Sequence, residues 1–326
     1  MRVAVIGAGA IGGWLTSGFI EAGAEATVLA RGASLAALQA NGLGLDDGTT
    51  VRRYDVHATD DPAKLKGADI LLLGLKAQDL SSLSPVIERA LGPQTVVVPA
   101  VNGLPWWFFE GFGGPAQGMQ LNATDPGGVL ARLMPADRVV GTVVHAASFV
   151  ESPGNIRLVA ANKVILGDAG QGGHAAQMAD VLARSRVPAV ASTQIHRDVW
   201  GKLWGNSNMN PLSALSRADL LQMLDDDGVR GLAIAMMREM SRLGEIIGLQ
   251  GFDDIDERIA TTRKLGAFRT SMLQDVEAGR TLELDPILGS LVELAGKLEI
   301  PTPTMDGIYG LTRLLAQSLG EQSQKG

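Results

Sequence analysis

The first five positions after the initiator, Arg2–Ile6, form an apolar, β-branched run of the kind that builds a buried parallel strand. A helical stretch follows, then a second apolar run at 26–30 and a helix-like SLAALQANG stopped by Gly42. A polar pair of strands is expected at 43–46 and 50–59. The runs at 69–76 (DILLLGLK) and 95–102 (TVVVPAVN) predict two more buried strands, with 78–90 as the crossover helix between them. This β-α-β alternation predicts an α/β fold built on a doubly wound parallel sheet. Residues 138–168 add three expected strands, VVGTVVHAASFVE, GNIRLVA and KVILGD. From about His196 the period changes to 3.6 residues, over 196–224, 228–248, 254–279 and 286–298. Asp285–Pro286 there has the form of an N-cap followed by proline at the first helical position. The pattern divides the chain into domains at 1–191 and 192–326, the second all-helical, and the final GEQSQKG is expected to fray.

Between the first strand and its helix lie Gly7, Gly9 and Gly12, with Ala10 and Ile11 inside the turn. This G-x-G-x-x-G spacing gives a tight turn, close approach of backbone to a pyrophosphate, and close packing of helix on strand. The helix N-terminus then directs unpaired N–H groups at the anion. Arg31 follows the second strand, where an acidic residue would bind a ribose 2′-hydroxyl, so the cation favours the 2′-phosphate of NADP(H). A signal peptide is the rival reading of this terminus. It fails because three glycines interrupt the apolar run and Glu21 and Glu25 follow closely.

Composition narrows the chemistry. The 326 residues carry a net charge of −7, which argues against nucleic acid as a partner. No apolar run is long enough to span a membrane, and no targeting segment is evident, so a cytoplasmic protein is expected. There is no cysteine, which removes thiolate catalysis and Cys-ligated zinc. The four histidines, His57, His145, His174 and His196, are scattered, so no metal site is expected.

Two segments stand apart from the pattern. The aromatics Trp106, Trp107, Phe108 and Phe109 are too many to leave in water. They are expected either to pack on the sheet edge or a dimer partner, or to wall a substrate pocket. Further on, KLWGNSNMNP at 202–211 places Lys202, Asn206 and Asn210 within about 80° of one another on a helix, with Trp200 and Trp204 on the other side. Pro211 predicts a kink at Asn210. A solvated face would be better served by Glu, Lys or Gln. A lysine whose charge burial disfavours can instead donate a proton to a carbonyl oxygen, and carboxamides can bind a carboxylate or carbonyl without adding charge. A carboxylate to hold the ammonium is then wanted. Glu283 and Asp285 are candidates, though spacing does not choose between them and an ordinary exposed Glu, and Ser271 is anonymous on its own.

The stretches GAGAIG (7–12), Arg31, LLLGLKA (71–77), VNG (101–103), GTVVHAA (141–147), KLWGNSNMNP (202–211) and SMLQD…ELD (271–285) together resemble the ketopantoate reductase (2-dehydropantoate 2-reductase, ApbA/PanE) family over nearly the full length. The resemblance implies a Rossmann-type NADP-binding domain, a helical substrate and dimerisation domain, and a cleft in which NADPH reduces a 2-oxo acid to its (R)-2-hydroxy acid. It implies Lys202 as general acid, and Glu283 as the carboxylate that binds the substrate hydroxyl and helps hold the lysine. Ser271 is implied as a carboxylate ligand, Asn206 and Asn210 as polar substrate contacts, and Asn102 and Lys76 as residues reaching the nicotinamide side and the cofactor or substrate. Two departures touch the substrate's tail. Asp219-Leu220-Leu221 stands where the pantoate-making enzymes usually have another Asn, and WWFFEGFGGP is longer and more aromatic than theirs. Ketopantoate is the first candidate substrate. The alternatives are a bulkier aromatic or branched 2-oxo acid, and an NADP(H)-binding sensor without turnover.

Overall fold

The computed structural model describes residues 1–323. By internal contacts the chain forms two units, 1–101 with 128–198, and 102–127 with 199–326. The segment 102–127 therefore groups with the helical half, which a single division near residue 192 does not provide for.

In the first unit, β1 (Arg2–Ile6), β2 (Glu25–Leu29), β5 (His57–Thr59), β6 (Ile70–Leu73) and β7 (Val96–Pro99) form a wholly parallel sheet in the order β5-β2-β1-β6-β7. The strand order reverses between β1 and β6, the switch point where such sheets leave a crevice at the strands' carboxyl ends. A second, mixed sheet contains β3 (Leu43–Asp46), β4 (Val51–Tyr54), β8 (Val140–Ser152), β9 (Asn155–Asp168) and β10 (Ala189–Ala191). The helix α1 (Ala10–Glu21) packs against strands of both sheets. Its Trp14, Leu15 and Phe19 are buried, in one core with Val3, Val5 and Leu72 from the first sheet and Leu43, Ile156 and Leu166 from the second. Each such side chain contributes about 1.5–3 kcal/mol by leaving water.

Several expected boundaries move. The run 50–59 is two strands in two sheets, β4 beside β3 and β5 beside β2. GNIRLVA and KVILGD are one strand, β9, paired along its length with β8; register shifts in this ladder absorb the irregularity that made them look separate. The crossover at 78–90 is a short 3₁₀ turn at Ala77–Asp79 and then α3 (Ser84–Ala90). The remaining helices of this unit are α2 (Gly32–Asn41), α4 (Val129–Leu133) and α5 (Ala175–Leu182).

The second unit is helical. The helix α6 (Ile195–Ser216), whose first turn belongs to the first unit, carries Pro211 inside it and continues as one helix to Ser216. Arg217 then takes φ 60 and ends it, so the expected helix 196–224 is α6 followed by α7 (Leu220–Asp225). Next come α8 (Asp227–Ile247), α9 (Ile255–Arg263) and α10 (Ser271–Glu277). The expected helix 254–279 is thus divided between α9 and α10. The helix expected from Pro286 already begins at Leu284 and opens with a π-helical turn, Asp285–Gly289, leading into α11 (Ser290–Lys297). Asp285 does not act as its N-cap; its carboxylate instead accepts from Tyr309 Oη at 2.8 Å. A last helix, α12 (Pro303–Ser323), is one the periodicity did not single out. It is helical through Ser323 where fraying was expected, and 324–326 lie outside the described residues.

The four aromatics are core. Trp107, Phe108 and Phe109 are at most 2% exposed and Trp106 is 7% exposed. Phe108 stacks toward Trp200 of α6 with ring centroids 6.2 Å apart, and its ring also meets Phe109 and Phe112. Neither the sheet edge nor a partner is needed to cover them: they fasten the segment 102–127 to α6. Glu293 of α11 helps, accepting from the backbone N–H groups of Asn122 and Ala123 at 2.9 and 2.8 Å. No helix among the described residues is long and apolar enough to cross a membrane.

Candidate active site

The glycine turn of the first unit has the geometry its spacing demands. Gly7 sits at φ +90, and a Cβ there would lie 2.7 Å from the carbonyl oxygen of Gly74, just past the end of β6. A Cβ on Gly12 would overlap the Gly7 carbonyl and come within 2.9 Å of Gly74 Cα. Gly9 differs: its φ of −77 is open to any residue, and a Cβ there would meet nothing within 4 Å. The chain itself does not require glycine at position 9, whereas close approach of a pyrophosphate would. Ala10 and Ile11 begin α1, whose first N–H groups face the same place. The turn therefore fits a dinucleotide. Arg31, exposed, follows β2 and precedes α2, and Lys76, half-buried, follows β6, so both lie beyond carboxyl ends of the parallel sheet. Gly74 is a residue that sequence reasoning missed. Its need to be glycine arises from Gly7 and Gly12, which the parallel pairing of β1 with β6 brings against it.

In the second unit three expected residues meet. Lys202 Nζ donates to Asn102 Oδ1 at 2.7 Å, and Asn102 Nδ2 donates to Glu283 Oε2 at 3.3 Å. One carboxamide thus spans the ammonium and the carboxylate, using its acceptor toward the first and its donor toward the second. Lys202 is half-buried as a residue, with its ammonium end crowded by protein. Burial pushes its pKa down to about 8, against the opposing pull of the Glu283 charge. Moving an amine from 10.5 to about 8 disfavours the charged form by about 3 kcal/mol. The result is an ammonium that can release its proton near neutral pH.

Local structure explains how three distant residues converge. Gly103, at φ +86, packs against the backbone of Pro286, where a Cβ would overlap the Pro286 carbonyl. The neighbouring Leu104 N–H donates to Pro286 O at 2.8 Å, and Ser290 Oγ donates to the same oxygen, also at 2.8 Å. Asn102 and Glu283 are thereby held on two strands of chain that touch next to them. Upstream, Asp275 accepts from Arg280 Nε at 2.7 Å and orders the turn between α10 and Glu283. The VNG stretch carried Gly103, but the contact with Pro286 that makes it necessary is not written in its neighbours.

The rest of the expected constellation lies on or beside α6. Asn206 is half-buried and Asn210 is 5% exposed, and among the described residues neither side-chain amide is hydrogen-bonded. Asn208 belongs elsewhere: fully buried, it donates to the Trp204 carbonyl at 2.6 Å. Trp200 and Trp204 are buried on the opposite side, as expected, and Trp204 Nε1 donates to Met237 O at 3.1 Å. Ser271 is exposed at the start of α10. The residue before it, Thr270, caps that helix and pairs with Ser213 of α6 at 2.5 Å, tying the two helices together. Asp219, where the resemblance led one to look for an Asn, is the N-cap of α7 in a reciprocal capping box with Gln222. Among the described residues no group of acidic or histidine side chains could hold a metal ion.

A parallel sheet with a glycine turn at its switch point, joined to a helical unit that holds a lysine of lowered pKa, is the build of a nicotinamide-dependent oxidoreductase. The comparisons define it further. The chain belongs to the ketopantoate reductase PanE/ApbA family, whose model matches residues 3–105 and whose C-terminal model matches 194–316. It is 38% identical to a 2-dehydropantoate 2-reductase of Mesorhizobium japonicum over 98% of this chain and 99% of that one. It is 30% identical to a 2-dehydropantoate 2-reductase of Halobacterium salinarum, covering 96% and 98%. Among solved structures, one from Ralstonia solanacearum MolK2, whose ketopantoate reductase assignment is provisional, has TM-score 0.92 and 41% identity, covering 98% of each chain.

Proposed function

We propose that this protein reduces 2-dehydropantoate to (R)-pantoate, using NADPH. The observation that carries the reading is the Lys202–Asn102–Glu283 chain, an amine with a pKa near 8 held by an amide that is itself held by a carboxylate. The turn at Gly7, Gly9 and Gly12 with Ala10 and Ile11 would hold the pyrophosphate, and Arg31 would hold the 2′-phosphate, which is what favours NADP(H) over NAD(H). Lys76 and Asn102 would contribute on the nicotinamide side. When bound, the reduced nicotinamide supplies hydride to the C2 carbonyl carbon.

The protein's own part is to bind, orient and protonate. Lys202 would place its ammonium on the carbonyl oxygen and give up a proton as that oxygen gains charge, leaving a neutral amine. Asn102 keeps the amine aimed. Glu283 would accept from the new hydroxyl while favouring the charged form of the lysine before transfer. Asn206, Asn210 and Ser271 would donate to substrate oxygens without adding charge. Burial of the Trp106–Phe109 aromatics in the core weighs against a pocket they line, and so against the bulkier aromatic substrates considered above.

The test is NADPH oxidation across a panel of 2-oxo acids including ketopantoate and phenylpyruvate, with NADH alongside. Ketopantoate should give the highest kcat/KM, and Lys202→Ala should lower kcat by about 10²- to 10⁴-fold with NADPH binding intact. Turnover of phenylpyruvate above ketopantoate would move the assignment to the bulkier substrate, and tight NADPH binding without any turnover would move it to a sensor.

A further inference from the structure

Several arginines in this chain have partners. Arg138 donates to the carbonyls of Gly92 and Thr95, Arg263 to Leu224 O at 3.0 Å and to Asp225, and Arg280 to Asp275. Arg258, on α9, is the contrast. Its Nε is buried and makes no hydrogen bond, and no acidic side chain among the described residues pairs with its guanidinium. Burial alone acts on it, pulling its pKa down, with no charge opposing. An arginine does not escape this by losing its proton, so a half-buried cation stands with no acidic side chain among the described residues to balance it.

Its position is specific. The guanidinium lies over Gly205 of α6: a Cβ on that glycine would overlap Nη2 and sit 2.7 Å from Cζ and 2.9 Å from Nε. Gly205 is three residues after Lys202 and next to Asn206, and i,i+3 positions are neighbours on a helix surface, about 5–6 Å apart at Cβ. The approach is built in. One turn earlier, Gly201 lets the Phe252 ring come as close as 3.1 Å to where its Cβ would be, and that ring meets Trp204 edge-on with centroids 5.9 Å apart. Ser241 Oγ of α8 donates to the Phe252 carbonyl, so the chain entering α9 is fastened to α8 just ahead of Arg258.

We infer that Arg258 is the cationic anchor for the carboxylate of the 2-oxo acid, and therefore the residue that makes this site select acids over neutral ketones. The inference rests on the proposed reductase activity. A guanidinium offers two parallel N–H donors that match a carboxylate, and its charge is permanent. The substrate's negative charge is then met by a group that does not titrate, and Lys202 is left to exchange its proton with the carbonyl oxygen.

The experiment compares ketopantoate with its methyl ester in the wild-type protein and in Arg258→Gln, Arg258→Lys and Gly205→Ala. Arg258→Gln should raise KM for the acid by about 10- to 100-fold, with a smaller effect on kcat, and should narrow the acid-over-ester ratio of kcat/KM by a similar factor. Arg258→Lys should recover part of the ratio. Gly205→Ala keeps the arginine but displaces a flexible side-chain end, so it should fold and still raise KM for the acid. An unchanged KM and ratio in Arg258→Gln would overturn the inference while leaving the reductase reading intact; if that variant does not fold, an unchanged ratio in Gly205→Ala does the same. If the wild type reduces no 2-oxo acid, the reductase reading fails, and calorimetric binding of pantoate then decides separately. Weaker binding by Arg258→Gln supports the anchor, and equal binding, or none by either protein, overturns it.

Discussion

Asn102 accepts from Lys202 at 2.7 Å across a hundred residues of sequence, and it can do so only because its own amide is occupied by Glu283. A carboxamide is free to flip, exchanging donor for acceptor. Here the carboxylate accepts only, so it fixes which end faces the lysine. Replacing Asn102 with Ala removes both the aim and the link. A proton donor displaced by about an ångström loses on the order of 10²-fold in rate, so kcat should fall by about 10- to 100-fold. Asn102→Asp should differ in kind, adding a charge that raises the Lys202 pKa. Steady-state kinetics of the two variants, each with a pH profile, will separate loss of aim from change of acidity. Equal kcat in Asn102→Ala and wild type would take the amide out of the mechanism.

The pH dependence of reduction follows from the lysine. As the proposed acid, Lys202 acts only while protonated, so kcat/KM should be level below about pH 8 and fall as pH rises through that value. The reverse oxidation needs the neutral amine and should rise through the same value. Glu283 opposes the effect of burial on Lys202, so Glu283→Gln should shift the basic limb to lower pH, by about one pH unit. A limb that moves upward, or stays in place while the rate falls, would show that Glu283 acts on the substrate alone.

The glycine turn makes a prediction that separates folding from binding. Gly12→Ala sets a methyl against the backbone of Gly7 and Gly74, where neither atom can give, and should destabilise the protein by about 1–3 kcal/mol. Gly9→Ala meets nothing in the protein and keeps an ordinary φ. It should leave the melting temperature of the protein without cofactor unchanged and weaken NADPH binding by about 10-fold or more. Thermal unfolding without cofactor, paired with fluorescence titration of NADPH, reads both. A Gly9→Ala protein that binds NADPH normally would mean that the pyrophosphate is not cradled there.

These pairs also show how far the chain could be read without its structure. The parallel strands, the glycine turn and the lysine face were legible because each is written within a few residues, as an apolar run, a spacing or a helical period. The carboxylate at 283 was not, since its partner Asn102 stands 181 residues away; the family resemblance supplied it, where spacing left it level with any exposed Glu. Gly74 and Gly103 are glycines for reasons lying on other segments, the Gly7 turn and Pro286. The helix α12 has a short start signal in Thr302 followed by Pro303, but its first N–H groups are satisfied from afar, by Glu239, 65 residues before Thr304, which accepts from Thr304 and Met305. Arg258 carries no mark in its own stretch of sequence, and its place over Gly205 depends on the packing of α9 against α6.

In the proposed reading, cofactor choice turns on Arg31. It is exposed between β2 and α2, with the extended backbone of a helix-capping position, where the ribose of a dinucleotide on the glycine turn would end. An exposed guanidinium gains little from the protein around it, so its charge is available to a 2′-phosphate dianion and gives no comparable advantage with a 2′-hydroxyl. Arg31→Ala should therefore raise KM for NADPH by about 10-fold while leaving NADH kinetics nearly unchanged, and Arg31→Asp should carry the preference over to NADH. The contact is also screened: raising salt from 0.05 to 0.5 M shortens the Debye length to about 4 Å and should narrow the wild-type preference for NADPH, with little effect on Arg31→Ala. The ratio of kcat/KM for the two cofactors, taken at both salt concentrations for all three proteins, decides the matter. A preference for NADPH that survives Arg31→Ala would assign the 2′-phosphate to another cation of the first unit.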